Sequence, residues 1–377
     1  MTHTEVKEPQ RRTRRRKPSR AQDQRRSNLA LVMSTLYENP GISRADLARL
    51  TGVTRVTSGE LIKSMIADDY AEELGVIHEQ RPGKPSTKLR MPYERHNIIA
   101  IDMSGSRSVT GALCTLDGQL LNRVEHELDG KTGQDAVDEL IATVRELEAA
   151  AEQHVVGVGV GTPGFVGPEP GVVTSTNLEW HALNLKAALE KELGMSVDVE
   201  NDANSAALAE HRFAEAPDDF IRMQISRGVG SGLLLRGELI TGPFGGAGEF
   251  GHVVVDPAGG TCSCGKEGCL ETWIRVPAML QRIEESHDRD AVLTQAGQKL
   301  GEALSFVLAT ADIVDVILGG PPELLDGTFL EAAAQTVRER TRIEARPEAS
   351  IKLSTLDEDA VLLGAAAIVM KNQLGVS

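Results

Sequence analysis

One histidine and three cysteines within eighteen residues restrict the local fold of this chain more than any other feature. His252 stands ten residues before Cys262, and Cys264 and Cys269 follow at close spacing. Three thiolates and one imidazole make the closed tetrahedral ligand set of a structural zinc site. A disulfide explains the cluster less well, because a Cys-x-Cys bridge is strained and leaves the third cysteine and the histidine without a role. We therefore predict structural Zn²⁺ on these four residues, in a loop over residues 252–269.

The sequence pattern on both sides of this loop predicts an α/β fold. Buried strands are predicted over residues 98–102, 109–115 and 155–160, and an amphipathic helix over 136–151. Strands and helices alternate to the end, which favours sheets with covered faces. The fourth cysteine, Cys114, falls in a strand and is interpreted as a buried hydrophobic side chain. The longest apolar run, 360–370, predicts a buried helix and is too short to span a membrane.

The charges of the chain are distributed unevenly along it. Residues 1–95 hold 19 basic and 12 acidic side chains, whereas the remaining residues hold 21 and 43. Such a basic head on an acidic body suggests that only the head meets a polyanion. Residues 1–26 are too polar to form a core, and we expect them to be a basic arm that is disordered when free. The arm, with Arg14, Arg15 and Arg16, could follow a DNA minor groove.

Residues 27–92 have the pattern of a winged helix-turn-helix. Ser43 and Thr54 are predicted to cap the second and third helices, and Gly52 allows the tight turn between them. Strands over 72–78 and 88–91 flank a basic turn that suits a wing on the phosphates. The alternative is a three-helix bundle without a nucleic-acid role. The basic arm and the basic wing favour DNA binding, because phosphate neutralisation supplies most DNA affinity.

The third helix is predicted to read base edges in the major groove of double-stranded DNA. Its apolar side is assigned to Val56, Leu61, Ile62, Met65 and Ile66. Together with the three arm arginines, the predicted DNA contacts of the helices and the wing are Arg44, Thr54, Arg55, Thr57, Ser58, Lys63, Arg81 and Lys84.

Residues 245–271 resemble the central motif of the ROK family, the repressors, open reading frames and sugar kinases. The motif reads Gly-Gly-Ala-Gly-Glu249-Phe-Gly-His252, then Cys262-Ser-Cys264-Gly-Lys-Glu-Gly-Cys269-Leu-Glu271. The resemblance extends to Gly161-Thr-Pro-Gly164, Asn177-Leu178 with Trp180, Glu200-Asn201-Asp202-Ala-Asn204, and Leu318-Gly-Gly320. It implies that residues 96–377 form a two-lobed actin-like ATPase (ribonuclease H-like) fold, with a sugar between the lobes. It also implies a homodimer or homotetramer.

The resemblance further assigns five sugar contacts, on residues that match the family's motifs. Asn201 and Asp202 are the first two, and Asp202 matches the general base of the family's kinases. Glu249, His252 and Glu271 match the others, so His252 would serve both the sugar and the metal. For each residue alone, a surface charge or a helix cap is the ordinary interpretation.

The nucleotide-binding loops depart from the pattern of the family's kinases. Ser104 replaces a glycine in the first phosphate loop, where a side chain crowds the approach of a phosphate. Arg227 stands in the second loop, where the kinases have a small hydroxyl residue. Pro321 follows Gly320 and alters the adenosine-side turn. We expect no kinase activity, with Asp202 as a vestige of the catalytic base.

The predicted function is therefore a sugar-responsive DNA-binding transcriptional regulator, expected to be a repressor. Its expected location is the cytoplasm, at the nucleoid through operator DNA, because the basic N-terminus lacks the apolar region of a secretory signal. Two alternatives stay open. One is an active ATP-dependent sugar kinase that also binds DNA, and the other is a regulator that responds to a non-sugar metabolite.

Overall fold

A computed structural model of the chain describes residues 21–77, 86–105, 107–167 and 169–376. The chain divides into two compact units between Arg90 and Met91. Within these described ranges, no helix combines the length and the apolar character needed to cross a membrane.

The first unit combines three helices with a small antiparallel sheet. Its helices are α1 (Ala21–Glu38), α2 (Arg44–Thr51) and α3 (Arg55–Ala67), and its strands are β1 (Ile42–Ser43), β2 (Glu72–Ile77) and β3 (Ser86–Arg90), in the order β1-β3-β2. The predicted caps are confirmed: the side chain of Ser43 accepts from the Asp46 amide and that of Thr54 from the Thr57 amide. Gly52 ends α2 in the left-handed region, at φ 67°.

Helix α1 includes the last six residues of the predicted disordered arm. Residues 21–26 are helical, so irregular chain does not continue to residue 26. This segment holds alanine, glutamine and arginine, which favour helices, and it contains no glycine or proline. Val32 and Leu36 then bury the apolar stripe of α1 in the core of the unit.

The second unit contains two five-stranded sheets of identical topology. The first has the order β11-β7-β4-β5-β6, from β4 (His96–Asp102), β5 (Ser108–Cys114), β6 (Leu120–Glu127), β7 (His154–Thr162) and β11 (Val197–Asn201). The second has the order β14-β13-β12-β15-β16, from β12 (Phe220–Ile225), β13 (Val229–Leu235), β14 (Glu238–Leu239), β15 (Asp315–Gly319) and β16 (Ser350–Leu353). In each sheet three antiparallel strands are followed by two parallel ones. This repeat is the predicted two-lobed architecture.

Helices cover both sheets, and each sheet has its own buried core. A third sheet, β10-β9-β8, is built from β8 (Phe165–Val166), β9 (Val172–Ser175) and β10 (Trp180–Asn184). The helices are α4 (Gly133–Ala150), α5 (Leu185–Leu193), α6 (Asp202–Phe213), α7 (Leu270–Ile274), α8 (Val276–Ser286), α9 (Arg289–Ala311), α10 (Pro322–Leu325), α11 (Thr328–Thr341) and α12 (Ala360–Val369), with a π-helical turn at Met370–Leu374. Short 3₁₀ turns lie at Tyr93–Arg95, Phe250–His252 and Asp357–Asp359.

Helices α6 and α12 pack at very short range beside the first sheet. Gly364 of α12 faces the carbonyl oxygen of Ser205 so closely that a Cβ atom there would collide with it. Ala206 and Ala207 of α6 are also fully buried. Small side chains therefore let the two backbones approach, and α6 begins at Asp202, one of the predicted site residues. Burial of 360–370 and of Cys114 is as predicted.

Candidate functional site

The three cysteines and the histidine converge in the second unit. One donor atom from each of His252, Cys262, Cys264 and Cys269 lies within 4.8 Å of the others. His252 Nδ1 is 3.4 Å from Cys262 Sγ, and Cys264 Sγ is 3.6 Å from Cys269 Sγ. Cys262 and Cys269 are buried, whereas Cys264 is exposed. These four side chains could hold a metal ion.

Backbone hydrogen bonds shape the loop that carries these ligands. The Cys262 amide donates to the Lys266 carbonyl (2.8 Å), and the Gly265 amide donates back to the Cys262 carbonyl (3.0 Å). Gly268 has φ 71°, and a Cβ atom there would overlap the Asp256 carbonyl oxygen. Glycine at 268 is therefore required by both its dihedral angle and its surroundings. Cys269 is the N-cap residue of α7, so one ligand is fixed to a helix terminus.

The environment of the buried thiols opposes their ionisation without a cation. Burial, reinforced by the neighbouring Cys264 and Cys262, raises the pKa of Cys269 to about 12. The backbone amide of Lys266 lowers the pKa of Cys264. The Lys266 ammonium donates to the His252 carbonyl (2.8 Å), which ties the two ends of the loop together. A bound cation would favour the thiolate forms that this environment otherwise disfavours.

Asn201 and Asp202 lie where β11 ends and α6 begins. The Asn201 side-chain oxygen accepts from the Ala203 and Asn204 amides, at 2.9 and 3.1 Å. Its amide nitrogen donates to the Gly164 carbonyl (2.8 Å). Asn201 is thus a helix cap that also fixes the Gly161–Gly164 turn, and its oxygen is already used. Asp202, the first residue of α6, is only partly accessible.

Three carboxyl groups act on one another around Asp202. Burial, together with the negative charges of Asp102 and Glu249, raises the pKa of Asp202 to about 7. Burial also raises the pKa of Asp102, although the Ser104 amide donates to Asp102 Oδ1 (2.7 Å). Asp102 was not among the predicted contacts; its position at the carboxyl end of a buried strand was the available signal. The cluster can accept hydrogen bonds from a polyhydroxylated ligand.

The other three predicted sugar contacts lie in or beside the loop over residues 252–269, and they differ in how far the protein itself engages them. His252 Nε2 lies 3.9 Å from Glu249 Oε2, on the side of the ring away from the cysteines. Glu271 Oε2 accepts from the Val229 amide (3.1 Å), and its Oε1 accepts from the Ser263 hydroxyl (3.4 Å). Glu271 therefore joins the loop to β13. Both of its oxygens have protein partners, whereas Glu249 is about half exposed.

The raised pKa of Asp202 predicts a pH-dependent stability difference. The unfolded chain releases this proton near pH 3.8 and the folded protein near pH 7, so the carboxyl destabilises the fold as pH rises through that interval. Asp202→Asn removes this contribution. We expect the variant to gain stability relative to the wild type at about pH 8 and to lose more than half of that gain at about pH 5, in urea unfolding. The exposed Asp290→Asn is the control; an equal difference at both pH values would contradict the prediction.

The three altered nucleotide-side segments lie at strand ends. Ser104 and Gly105 are exposed after β4, Arg227 is exposed between β12 and β13, and Gly320 follows β15 at φ 142°. A side chain at Gly320 would collide with the Ile225 carbonyl oxygen, which accounts for the glycine locally.

In the first unit, the predicted DNA contacts have unequal surroundings. Thr54, Arg55 and Lys63 are exposed and Thr57 is half-buried. Arg44 pairs with Glu73 at 2.6 Å. Arg14, Arg15, Arg16, Arg81 and Lys84 lie outside the described residues.

Two assignments on α3 are wrong. Ser58 is buried, with 2% of its surface accessible, and Val56 is 74% exposed. Ser58 lies one helical turn before Leu61 and Ile62 and so shares their core face. Val56 precedes Leu61 by five residues, which turns it about 140° away from that face. The set of exposed candidates on α3 therefore loses Ser58 and gains Val56.

Comparison with known proteins gives concordant results. A model of the ROK family matches residues 98–372. The xylose repressor of Caldicellulosiruptor bescii is 26% identical over 388 residues, which cover 92% of this chain and 96% of that protein.

Solved structures share the fold over different lengths. A ROK family transcriptional regulator, described as a homologue of the E. coli MLC protein, superposes with a TM-score of 0.82 at 23% identity, over 92% of this chain and 96% of its own. A ROK hexokinase from Thermus thermophilus superposes with a TM-score of 0.63 at 27% identity. It covers 72% of this chain and 97% of its own.

Proposed function

The chain belongs to the ROK family, and on that premise we propose that it is a transcriptional repressor whose operator binding is controlled by a sugar. The observation that carries this proposal is the extent of the similarity. The xylose repressor aligns with 92% of this chain. The hexokinase matches over 97% of its own length but covers only 72% of this chain. The family match begins at residue 98, so the first unit is what a repressor adds to the kinase-length body.

The first unit would be a winged helix-turn-helix that binds operator DNA. Gly52 turns the chain between α2 and α3, and Arg55 and Lys63 are exposed cations on α3. Strands β2 and β3 flank the wing turn. A homodimer or homotetramer would present paired units to two half-sites. Operator binding would place the protein at the nucleoid in the cytoplasm.

Structural zinc is the proposed metal of the cysteine cluster. Around tetrahedral zinc, two sulfur ligands lie about 3.8 Å apart, and a nitrogen and a sulfur lie about 3.6 Å apart. The corresponding separations here are 3.6 Å between Cys264 and Cys269, and 3.4 Å between His252 Nδ1 and Cys262. Four protein donors complete the coordination shell, so the zinc would stabilise the loop and leave no position for substrate.

The sugar would bind beside this loop, at the acidic cluster. Asp202 and Glu249 supply carboxylate acceptors, and His252 presents Nε2 on the side of its ring away from the cysteines. Asn201 and Glu271 would act mainly by positioning, because their acceptor atoms are engaged within the protein. The name of the repressor relative directs the first test to xylose. A non-sugar metabolite is the alternative ligand.

A sugar kinase is the second candidate, favoured by Asp202 at the position of the family's general base. Ser104 and Arg227 in the phosphate loops oppose it, since bulk there hinders the approach of phosphate. A coupled assay with ATP, Mg²⁺, xylose and glucose separates the two. Turnover at ordinary kinase rates, about 1–100 s⁻¹, would favour the kinase.

The decisive experiment for the repressor measures the coupling between sugar and DNA. Bound duplexes are selected from a random pool, and their affinity is measured with and without xylose or glucose. We expect an active sugar to change the affinity of the wild type about 5- to 150-fold, a coupling of about 1–3 kcal/mol. Asp202→Asn should bind DNA normally and lose the response, while Asp290→Asn keeps both. Loss of DNA binding in Asp202→Asn would show that Asp202 has a structural role.

A further inference from the structure

Among the described residues of the first unit, Val56 is the most exposed large apolar side chain. It is 74% accessible, compared with 56% for Leu50 and 45% for Leu31 in the same unit. The apolar side chains of α3 that build the core, Leu61 and Ile62, are at most 2% accessible. Val56 therefore does not belong to the core of its own unit.

The fold holds Val56 in a defined position. It is the second residue of α3, and Thr54 caps that helix by accepting from the Thr57 amide (3.3 Å). A β-branched side chain in a helix has essentially one χ1 rotamer. A contact made by Val56 thus costs little side-chain entropy, which suits a residue that discriminates between closely similar ligands.

The charges around Val56 indicate what covers it. Arg55 precedes it, Glu60 lies one turn further on and Lys63 two turns further on, and all three are exposed. Val56 thus stands among charged side chains, and the two cations complement a polyanion that carries an apolar group of its own. In the major groove of DNA, the C5-methyl of thymine is such a group, surrounded by hydrogen-bonding base edges and flanked by phosphates.

We propose that Val56 packs against the C5-methyl group of a thymine in the operator and thereby determines the base at that position. The proposal rests on the proposed DNA-binding function and names the base that α3 recognises. It differs from the contribution of Arg55 and Lys63, because a methyl contact depends on sequence whereas phosphate neutralisation does not.

The test replaces single thymines by uracil, which deletes only the C5-methyl group. Duplexes selected from a random pool by the full-length protein are resynthesised with one uracil at each thymine position. We expect one position in each half-site at which uracil weakens wild-type binding about three- to fivefold, as for the loss of one buried methyl contact. Val56→Ala should weaken binding to the thymine duplex by a similar factor and should bind both duplexes equally.

A control variant and a folding measurement distinguish failure of the proposed Val56 contact from failure of the proposed DNA-binding function. Leu31→Ala, an apolar truncation on α1, should retain the thymine preference, and circular dichroism should show unchanged folding of Val56→Ala. Failure of the wild type to enrich any sequence overturns both the DNA-binding function and the role of Val56. Enrichment without a uracil-sensitive position, or with equal uracil sensitivity in Val56→Ala, overturns the inference alone.

Discussion

Glu210→Ala lowers the free energy of unfolding by about 3–5 kcal/mol, the expected cost of leaving a buried partner charge uncompensated. Glu210 Oε1 lies 3.1 Å from Arg222 Nε, and the two side chains are 3% and 1% accessible. Ser354 donates its hydroxyl to the same carboxylate oxygen. The Glu210 carboxylate thus connects α6 to Arg222 in β12 and to Ser354, the residue that follows β16. Its loss should therefore weaken the packing of the helix against the sheet.

The guanidinium of Arg222 loses its hydrogen-bonded carboxylate in this variant and keeps only the weaker effect of the Asp202 charge. Burial lowers the pKa of Arg222, and the charge of Glu210 opposes that shift. Among the described residues, Nη1 and Nη2 of Arg222 have no hydrogen-bond partner. The carboxylate therefore provides most of what stabilises this buried cation, and an uncharged alanine cannot replace it.

Chemical denaturation of three variants tests this explanation. Asp359→Ala breaks the Arg123–Asp359 pair, which is 2.6 Å long and nearly half exposed, and should cost less than about 1 kcal/mol. The double replacement Glu210→Leu with Arg222→Met should be milder than Glu210→Ala, since it removes both charges. A loss of less than about 1 kcal/mol for Glu210→Ala would contradict the assignment of a desolvated pair.

Cys269→Ala should abolish binding of the proposed zinc and destabilise the second unit by about 4 kcal/mol or more, the magnitude associated with loss of a structural metal. Cys269 is fully buried and is the N-cap residue of α7. Its Sγ lies 3.6 Å from Cys264 Sγ. Its loss therefore opens the coordination shell and frees the turn before the helix. Zinc content, measured by atomic emission, and thermal unfolding should both decrease.

The fourth cysteine provides the matched control for the metal. Cys114 is equally buried, and burial raises the pKa of its thiol to about 12, but it lies in β5 and not in the cluster. Cys114→Ala should lose packing energy and keep the zinc. A chelator should destabilise the wild type and Cys114→Ala equally and leave Cys269→Ala unchanged. Full zinc content in Cys269→Ala would show that this thiol is not a ligand.

The same loop connects the proposed zinc site to the proposed sugar site. Glu271 reaches β13 through the Val229 amide, and His252 lies between Cys262 and Glu249. Loss of the metal should therefore also weaken the sugar response, through displaced side chains. DNA binding without sugar should be affected less, because it depends on the other unit.

Features that depend on neighbours in the sequence were predictable from the sequence alone. Helix caps at Ser43 and Thr54, the α/β alternation and the close spacing of the metal ligands are of this kind. Ser58 and Val56 were misassigned on α3, although helical periodicity measured from Leu61 and Ile62 would have placed both correctly. The start of α1 at Ala21 does not follow from the sequence pattern, because a high density of charge is also typical of disordered chain.

What the sequence by itself determined is the family, the two-lobed fold and the set of residues from which the sites are built. Only the tertiary structure decided which of these residues remain available to a ligand. Asn201 and Glu271 have their acceptors occupied within the protein, whereas Asp102, Asp202 and Glu249 come together from distant segments. The physical reason is that periodicity, capping and ligand spacing are local properties. Desolvation and charge–charge interaction are set by groups that packing alone brings close.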